Sequence, residues 1–500
     1  MKRSVLIACW VAVAFVAVFL RWNDLAARPF HADEATGARI TAHRVESGNY
    51  VFDPKHYHGP TLSGAAMVVA RITGMKSWAE FEKAPLRAVP ALAGCLLVLV
   101  PLLGRRRFGD APMLIAALAL ATSPLLVYYS RMFIHEMLLG LFGVLALFQI
   151  ACTKRWWLAG IWVGLMFATK ASFAFSIASW GAAGGLLYLL SPRGPDKVMP
   201  AELVRRYWRT ALLAAGLAVL TSLAFYTNGF TRWQGAVDAV KSYFIYDLVE
   251  GHDKPAAYFV DLLLWPRKLG GSWWFETPVA LFAAAALVLS FVSRSMEPAT
   301  RLAVRFLALS AVFHLAIYSA IAYKTPWLMV LPWAHVCLLA GFVATAVPRG
   351  NKVLAGVVGL VISAGFASQF LQSRQATGRL ASDERNPYAY VPTSDDIESL
   401  VPWLDALDEA LPERSIEPLG VVGSDYWPLP WYLRGYGKVG YWPEAPDNIS
   451  RLPVVIAIDD LTVMLAGSHV PVPKGLRADT PMTVWVRGDF WDASLDAPPE

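Results

Sequence analysis

Long, almost uncharged apolar runs constrain this 500-residue chain more than any other feature. They recur from Ser4 to Leu371 at about 4–20, 86–104, 111–128, 137–151, 157–169, 172–190, 210–226, 275–293, 303–322, 327–347 and 353–371. A helix satisfies its own backbone polar groups, and about 20 apolar residues carry it across a hydrocarbon core of roughly 30 Å. The runs therefore predict an α-helical polytopic membrane protein with about eleven transmembrane helices. With 56% hydrophobic and only 16% charged residues, a soluble enzyme, a fibrous protein and a disordered chain are excluded.

The polar segments between the runs set the orientation. With the N-terminus in the cytoplasm, the inside segments are 1–3, 105–110, 152–156, 191–209, 294–302 with Arg305, and 348–352; they hold 17 Lys/Arg against four acids, Asp110, Asp196, Glu202 and Glu297. This is the positive-inside bias, and an odd helix count then places the C-terminal tail outside a cell (inner) membrane. The stretch 157–190 decides that parity. Lys170 divides it into two short spans; one long tilted helix would invert everything after it, against the charge distribution. The run 61–74 is too short to span and is expected as an interfacial or re-entrant piece of the first outer loop, 21–85.

Charge also divides the chain into two bodies: residues 1–371 carry a net +16 and residues 372–500 a net −10. The first is expected to be the membrane domain. The tail alternates β-rich runs (Gly420 to Gly423, Leu452 to Ile458, Met482 to Val486) with helical patterns such as the capped start at Thr393-Ser394-Asp395-Asp396, which predicts a small extracytoplasmic α/β domain. Cys9, Cys95, Cys152 and Cys337 all lie in or at the ends of apolar runs and suggest neither a disulfide framework nor a C-x-x-C metal site. The first run follows Met1-Lys2-Arg3, and its Ala12-Val13-Ala14 lies inside the run rather than after it, so it reads as a retained helix.

Polar chemistry gathers at the outer face. The first outer loop holds His31-Ala32-Asp33-Glu34, Arg39, Arg44 and Asp53, then Lys55-His56-Tyr57-His58-Gly59-Pro60. The second, Tyr128 to Glu136, brings Tyr129, Arg131, His135 and Glu136 to the mouth of two helices. Lys170 and Lys324 stand at the outer ends of other helix pairs. Two adjacent carboxylates near several cations suit a general base beside a phosphate-binding site. Each group also has a plainer reading. Asp33 and Glu34 suit the first turn of a helix, Arg131 and Glu136 suit a structural pair, and lone lysines snorkel to headgroups. Asp33, Glu34 and His58 have the chemistry for a divalent cation, although no zinc spacing is present. His314 and His335, within spans, read as packing residues. The aromatic outer loop 227–274 and the run Asp425-Tyr426-Trp427-Pro428-Leu429-Pro430-Trp431-Tyr432 suit sugar stacking, an interfacial belt, or docking of the tail onto the membrane body.

The order of these elements resembles the GT-C superfamily of integral-membrane glycosyltransferases: His31-Ala32-Asp33-Glu34-Ala35 after the first helix, Tyr57-His58-Gly59-Pro60, Tyr128-Tyr129-Ser130-Arg131, Thr169-Lys170 and Lys324-Thr325-Pro326-Trp327. It looks most like the branch of protein O-mannosyltransferases and lipid A aminoarabinose transferases. Closer still, and over nearly the whole chain, it resembles a flippase-activity-associated membrane protein family of archaea and bacteria, a likeness that runs through the tail in Arg385-Asn386-Pro387-Tyr388, Thr393-Ser394 and the Asp425 run. The resemblance implies a GT-C-like fold and an outward-facing enzyme with Asp33 (or Glu34) as general base. Arg131, Lys324 and Lys170 would hold the phosphate of a polyprenyl-phosphate-linked sugar, and His31, His56, His58, Tyr129, His135 and Glu136 would support substrate. Its partners would be that donor, an acceptor glycan, lipid or protein, and membrane lipids, with no nucleic acid. The competing classes are a transporter or flippase accessory that makes no bonds, and a scaffold whose acidic tail recruits a partner.

Overall fold

The computed structural model describes residues 3–191, 199–245, 252–294, 296–346, 352–410 and 412–496; parts of the expected inside segments 1–3, 191–209, 294–302 and 348–352 and of loop 227–274 lie outside the described residues. The helices run α1 (Arg3–Trp22), α2 (Ala32–Ser47), α3 (Thr61–Thr73), α4 (Lys83–Leu99), α5 (Arg105–Phe108), α6 (Asp110–Thr122), α7 (Pro124–Tyr129), α8 (Glu136–Cys152) and α9 (Ala159–Phe167). They continue with α10 (Phe173–Leu190), α11 (Pro200–Tyr226), α12 (Gln234–Ile245), α13 (Tyr258–Leu264), α14 (Thr277–Val292), α15 (Pro298–Ala320), α16 (Val330–Ala340), α17 (Lys352–Thr377) and, in the tail, α18 (Leu400–Ala410).

All eleven apolar runs are helical. Among the described residues seven helices are long and apolar enough to cross a membrane; the remaining runs fall on shorter helices, Asp110–Thr122, Glu136–Cys152, Trp156–Phe167 and Thr277–Val292. The protein is an integral membrane protein. The 157–190 stretch is two helices: α9 ends at Phe167, and a turn through Thr169 and Lys170 leads into α10. Close packing lets α9 sit against α11. A Cβ at Gly160 or Gly164 would fall 2.0 or 2.4 Å from the carbonyl of Ala214 or Ala218, so small residues four apart let the backbones touch.

Buried polar groups fix the helix ends. Arg21, at the end of α1, donates to the carbonyls of Ala121 (3.1 Å) and Leu120 (2.8 Å), a cation on the C-terminus of α6. The run 111–128 breaks at Ser123-Pro124, because proline removes a donor from the ladder. The buried Glu276 bridges the break, accepting from Ser123 Oγ (2.7 Å), Leu125 N (2.9 Å) and Trp333 Nε1.

A small hairpin, β1 (Arg267–Leu269) and β2 (Ser272–Trp274), turns on Gly270 and Gly271, both with positive φ, the geometry of a primed two-residue turn. The tail carries β3 (Leu419–Val422), β4 (Val439–Trp442), β5 (Val454–Ala457), β6 (His469–Arg477) and β7 (Thr480–Arg487) in the order β4-β3-β5-β7-β6, with β4-β3-β5 parallel and β5-β7-β6 antiparallel. Ser394 caps the turn before α18 as expected. The edge strands β4 and β6 carry no sequence signal: β4 is short and contains Gly440, and β6 contains Pro471 and Pro473, tolerated only at an edge.

The tail packs directly on the ends of the helices. Phe30 and Trp431 rings lie 4.1 Å apart, Tyr432 OH accepts from Phe30 N (2.9 Å), and Tyr129 OH donates to Tyr388 O (2.5 Å). Asn386 ties the Arg385-Asn386-Pro387-Tyr388 corner to the end of α17 through the carbonyls of Ala376 (3.1 Å) and Leu380 (3.0 Å). Trp431 and Tyr432 are buried, so this end of the aromatic run docks the tail.

Candidate active site at the mouth of the first outer loop

Helix α2 opens with a capping box. The N–H of Asp33 donates to His31 Nδ1 (3.1 Å), and the N–H of His31 donates to Glu34 Oε2 (3.1 Å). His31 Nε2 donates to Tyr390 O (3.2 Å), so one neutral tautomer satisfies both ring nitrogens.

The two adjacent carboxylates face opposite environments. Glu34 is fully buried. Arg87 grips it through two N–H bonds of 2.8 Å each, Arg28 adds one at 2.9 Å, and Phe133 N donates at 2.8 Å. The other donors of Arg87 go to the carbonyls of Leu25, Arg28 and Pro29, which closes the loop on itself. Burial alone would raise the Glu34 pKa, but the guanidiniums of Arg87 and Arg28 and these hydrogen bonds outweigh it and hold it at about 2. Asp33, one residue earlier, points the other way. Its side chain is 54% exposed, and among the described residues its one ionisable contact is the neutral His31 ring, with Nδ1 3.9 Å away. Glu34 is thus an anchor, and Asp33 is the carboxylate open to a ligand.

Around Asp33 lie His252 and Tyr390, both within reach of its charge. His252 Nδ1 and Tyr390 OH are 2.6 Å apart, Lys254 Nζ sits 5.9 Å from the Tyr390 ring centre, and Lys324 Nζ donates to the carbonyls of Lys254 (3.0 Å) and Ile321. Trp327 forms the back wall, edge-on to His31 (6.1 Å), Tyr129 (5.9 Å) and Tyr390 (5.5 Å). Burial lowers the His31 and His252 pKa values below 6.5.

The expected cations do not form one cluster. Arg131 caps the end of α1, donating to the carbonyls of Leu20 (3.3 Å), Asn23 (2.6 Å) and Asp24 (2.9 Å). Lys170 is ion-paired with Glu136. That pair adjoins His58 and His135, whose rings are 5.2 Å apart; His135 Nε2 donates to Gly59 O (3.1 Å). Burial, then the charge of Lys170, depresses both histidines, His135 to about 3. His56 pairs locally with Asp53 (2.8 Å) on the exposed side of the loop. The Tyr-His-Gly-Pro motif has a packing reason: Gly59 N donates to Thr169 O (3.0 Å), and a Cβ at Gly59 would stand 2.1 Å from Ala168 O.

For a divalent cation, no group of three or more His, Cys, Asp or Glu among the described residues is placed to hold one. With Glu34 committed to two arginines, Asp33, Glu34 and His58 do not make a metal site. The arginines that neutralise Glu34 carry no motif signal, since Arg87 lies 53 positions away. His252, Lys254 and Tyr390 come from segments that meet only in the fold.

Comparison with known proteins fits this geometry. The chain superimposes along its length on ArnT from Cupriavidus metallidurans in the apo state, with a TM-score of 0.64, 16% identity, and coverage of 98% of this chain and 99% of that one. This chain has an ArnT-like fold. The same ArnT bound to undecaprenyl phosphate matches this chain with a TM-score of 0.61, again at 16% identity and with coverage of 98% and 99%. An oligosaccharyltransferase from Archaeoglobus fulgidus, in complex with zinc and sulfate, matches at 0.50 with 15% identity over 90% of this chain and 67% of that one. A family model for dolichyl-phosphate-mannose-protein mannosyltransferase matches residues 64–200 of this chain. No curated protein matches its sequence significantly.

Proposed function

We propose that this protein is a membrane glycosyltransferase that moves a sugar from a polyprenyl-phosphate donor to an acceptor hydroxyl on the outer face of the cell membrane. One observation carries the reading: in a full-length ArnT-like fold, one carboxylate of the Asp33-Glu34 pair is locked by two arginines while the other stands open beside cations and aromatic rings.

Asp33 takes the proton of the acceptor hydroxyl as its oxygen attacks the anomeric carbon. The bond from that carbon to the phosphate oxygen breaks, and the lipid phosphate leaves with both bonding electrons, inverting the configuration. Lys324 and Lys254 supply positive charge for the departing phosphate, while the charge of Lys170 is balanced by Glu136. Arg131 is a positioning residue that holds the end of α1, and Tyr129, Trp327 and His31 shape the pocket wall. Glu136 holds Lys170 in place, and His58 and His135 lie beside that pair.

The reading is tested by incubating purified protein in nanodiscs with a panel of polyprenyl-phospho-sugars and candidate acceptors, following polyprenyl phosphate release and the anomeric configuration of the product. Release with inversion is the expected result. Binding of a lipid-linked sugar with no release from any member of a broad panel would replace transfer by transport.

A further inference from the structure

A second basic site stands away from Asp33, at the outer end of the groove between α1 and α17. A cavity of about 280 Å³ there is lined by Phe19, Asn23, Arg131, Arg374, Gln375 and Arg379. Three guanidiniums share its wall; none forms an ion pair within 4 Å among the described residues, although Asp24 lies within range of Arg131 and Asp383 within range of Arg379.

Their local bonds leave donors over. Arg131 spends its terminal nitrogens on the carbonyls of Leu20, Asn23 and Asp24 and contributes charge. Arg379 donates one bond, to Gly270 O (2.7 Å). Arg374 lies over the Phe19 ring (5.2 Å to its centre), and its side chain makes no hydrogen bond among the described residues. The amides of Asn23 and Gln375 line the same wall. Beneath, Phe19 and Phe370 stack at 6.4 Å, presenting apolar surface where the spans meet the bilayer. The cavity is therefore amphipathic, cationic at the end of the hydrophobic span and aromatic below it. Its two walls are peripheral: fewer than a third of the residues in the apolar stretches of α1 and α17 are buried within the protein, so both helices face lipid.

We propose that this cavity binds the phosphate headgroup of an anionic diacyl phospholipid of the outer leaflet, with Arg374 and Arg379 donating to the phosphate and the acyl chains running along Phe19 and Phe370. Charge-assisted bonds from arginine to a phosphate are the geometry guanidinium favours. A bound lipid would clamp the end of α1, from which the chain continues into the first outer loop, to the end of α17, from which it continues into the tail.

The test is native mass spectrometry of the purified full chain, titrated separately with phosphatidylglycerol, phosphatidylethanolamine, a short-chain polyprenyl phosphate and inorganic phosphate. It compares wild type, Arg374→Gln/Arg379→Gln and Arg374→Lys/Arg379→Lys, with Arg206→Gln/Arg209→Gln on α11 as a control. At roughly fivefold per basic residue near an anionic surface, the double glutamine variant is expected to retain phosphatidylglycerol about thirtyfold less well, while the control is unchanged and the lysine variant falls between. Monodisperse elution of each variant shows that folding is intact. Equal retention by wild type and the double glutamine variant overturns the proposal. So does equal binding of phosphatidylethanolamine, preference for polyprenyl phosphate over phosphatidylglycerol, or full displacement by millimolar inorganic phosphate.

Discussion

Replacing Glu34 by glutamine removes the charge that two buried arginines share. The side chain keeps its size, so the loss is electrostatic. The carboxyl is held at about 2 against an ordinary 4.5, a depression worth about 3 kcal/mol of folding stability at neutral pH. Leaving Arg87 and Arg28 without their counter-ion puts the full cost of Glu34→Gln in the range of about 3–5 kcal/mol. Asp33→Asn, at a half-exposed side chain with no buried partner, is expected to change stability by no more than about 0.5 kcal/mol. Thermal unfolding of both variants in detergent, followed by intrinsic tryptophan fluorescence, makes the comparison. The sign with pH is fixed as well. A carboxylate whose folded pKa lies below its unfolded value stabilises fully above about 4.5, and that stabilisation is lost as pH falls from 4.5 towards 2; Glu34→Gln removes this dependence. If Glu34→Gln unfolds at the wild-type temperature while Asp33→Asn collapses, the assignment of anchor and open carboxylate is reversed.

Other outcomes follow from the same geometry. Gly59→Ala would drive a Cβ into the Ala168 carbonyl, and the variant should be recovered mostly as aggregate in fluorescence-detected size exclusion; normal elution would contradict the contact. In a double-mutant cycle, Lys170→Met/Glu136→Met should be more stable than the sum of its single variants, with a coupling of about 1–3 kcal/mol; additivity would mean that the pair does not interact. Burial depresses His58 and His135, so the folded protein resists their protonation and stability should fall as pH drops below 6.5; His135→Gln should flatten part of that slope in a thermal-shift series. Tyr390→Phe should lower kcat/KM about tenfold with little change in unfolding temperature, since its hydroxyl meets His252 at the mouth of the site.

Much of the architecture is written in hydropathy. Runs 4–20 and 353–371 became α1 and α17 because length and polarity alone decide a span, and the β-rich tail segments became β3, β5 and β7. The missing strands carry Gly440, which weakens the strand pattern, and two prolines, which only an edge position accepts. The site was half legible. The Asp33-Glu34 pair stands out as charge at an outer helix mouth, yet which member is free depends on Arg28 and Arg87, and neither spacing nor motif ties Arg87 to Glu34. Arg131, Lys170 and Lys324 share an outer position in sequence, which says nothing of their direction. One caps a helix, one is paired with Glu136, and one is held on backbone carbonyls beside Lys254. His252 and Tyr390 meet only because the segment before α13 crosses the tail, a long-range contact invisible to local pattern.

The central claim is that Asp33, and not Glu34, carries the chemistry. Single-turnover release of polyprenyl phosphate from a labelled donor, measured on wild type and Asp33→Asn at matched donor occupancy, tests it most directly. Release slowed by about a hundredfold or more in Asp33→Asn, with donor binding and unfolding temperature unchanged, is the predicted result. Release at the wild-type rate from a correctly folded Asp33→Asn protein would contradict it.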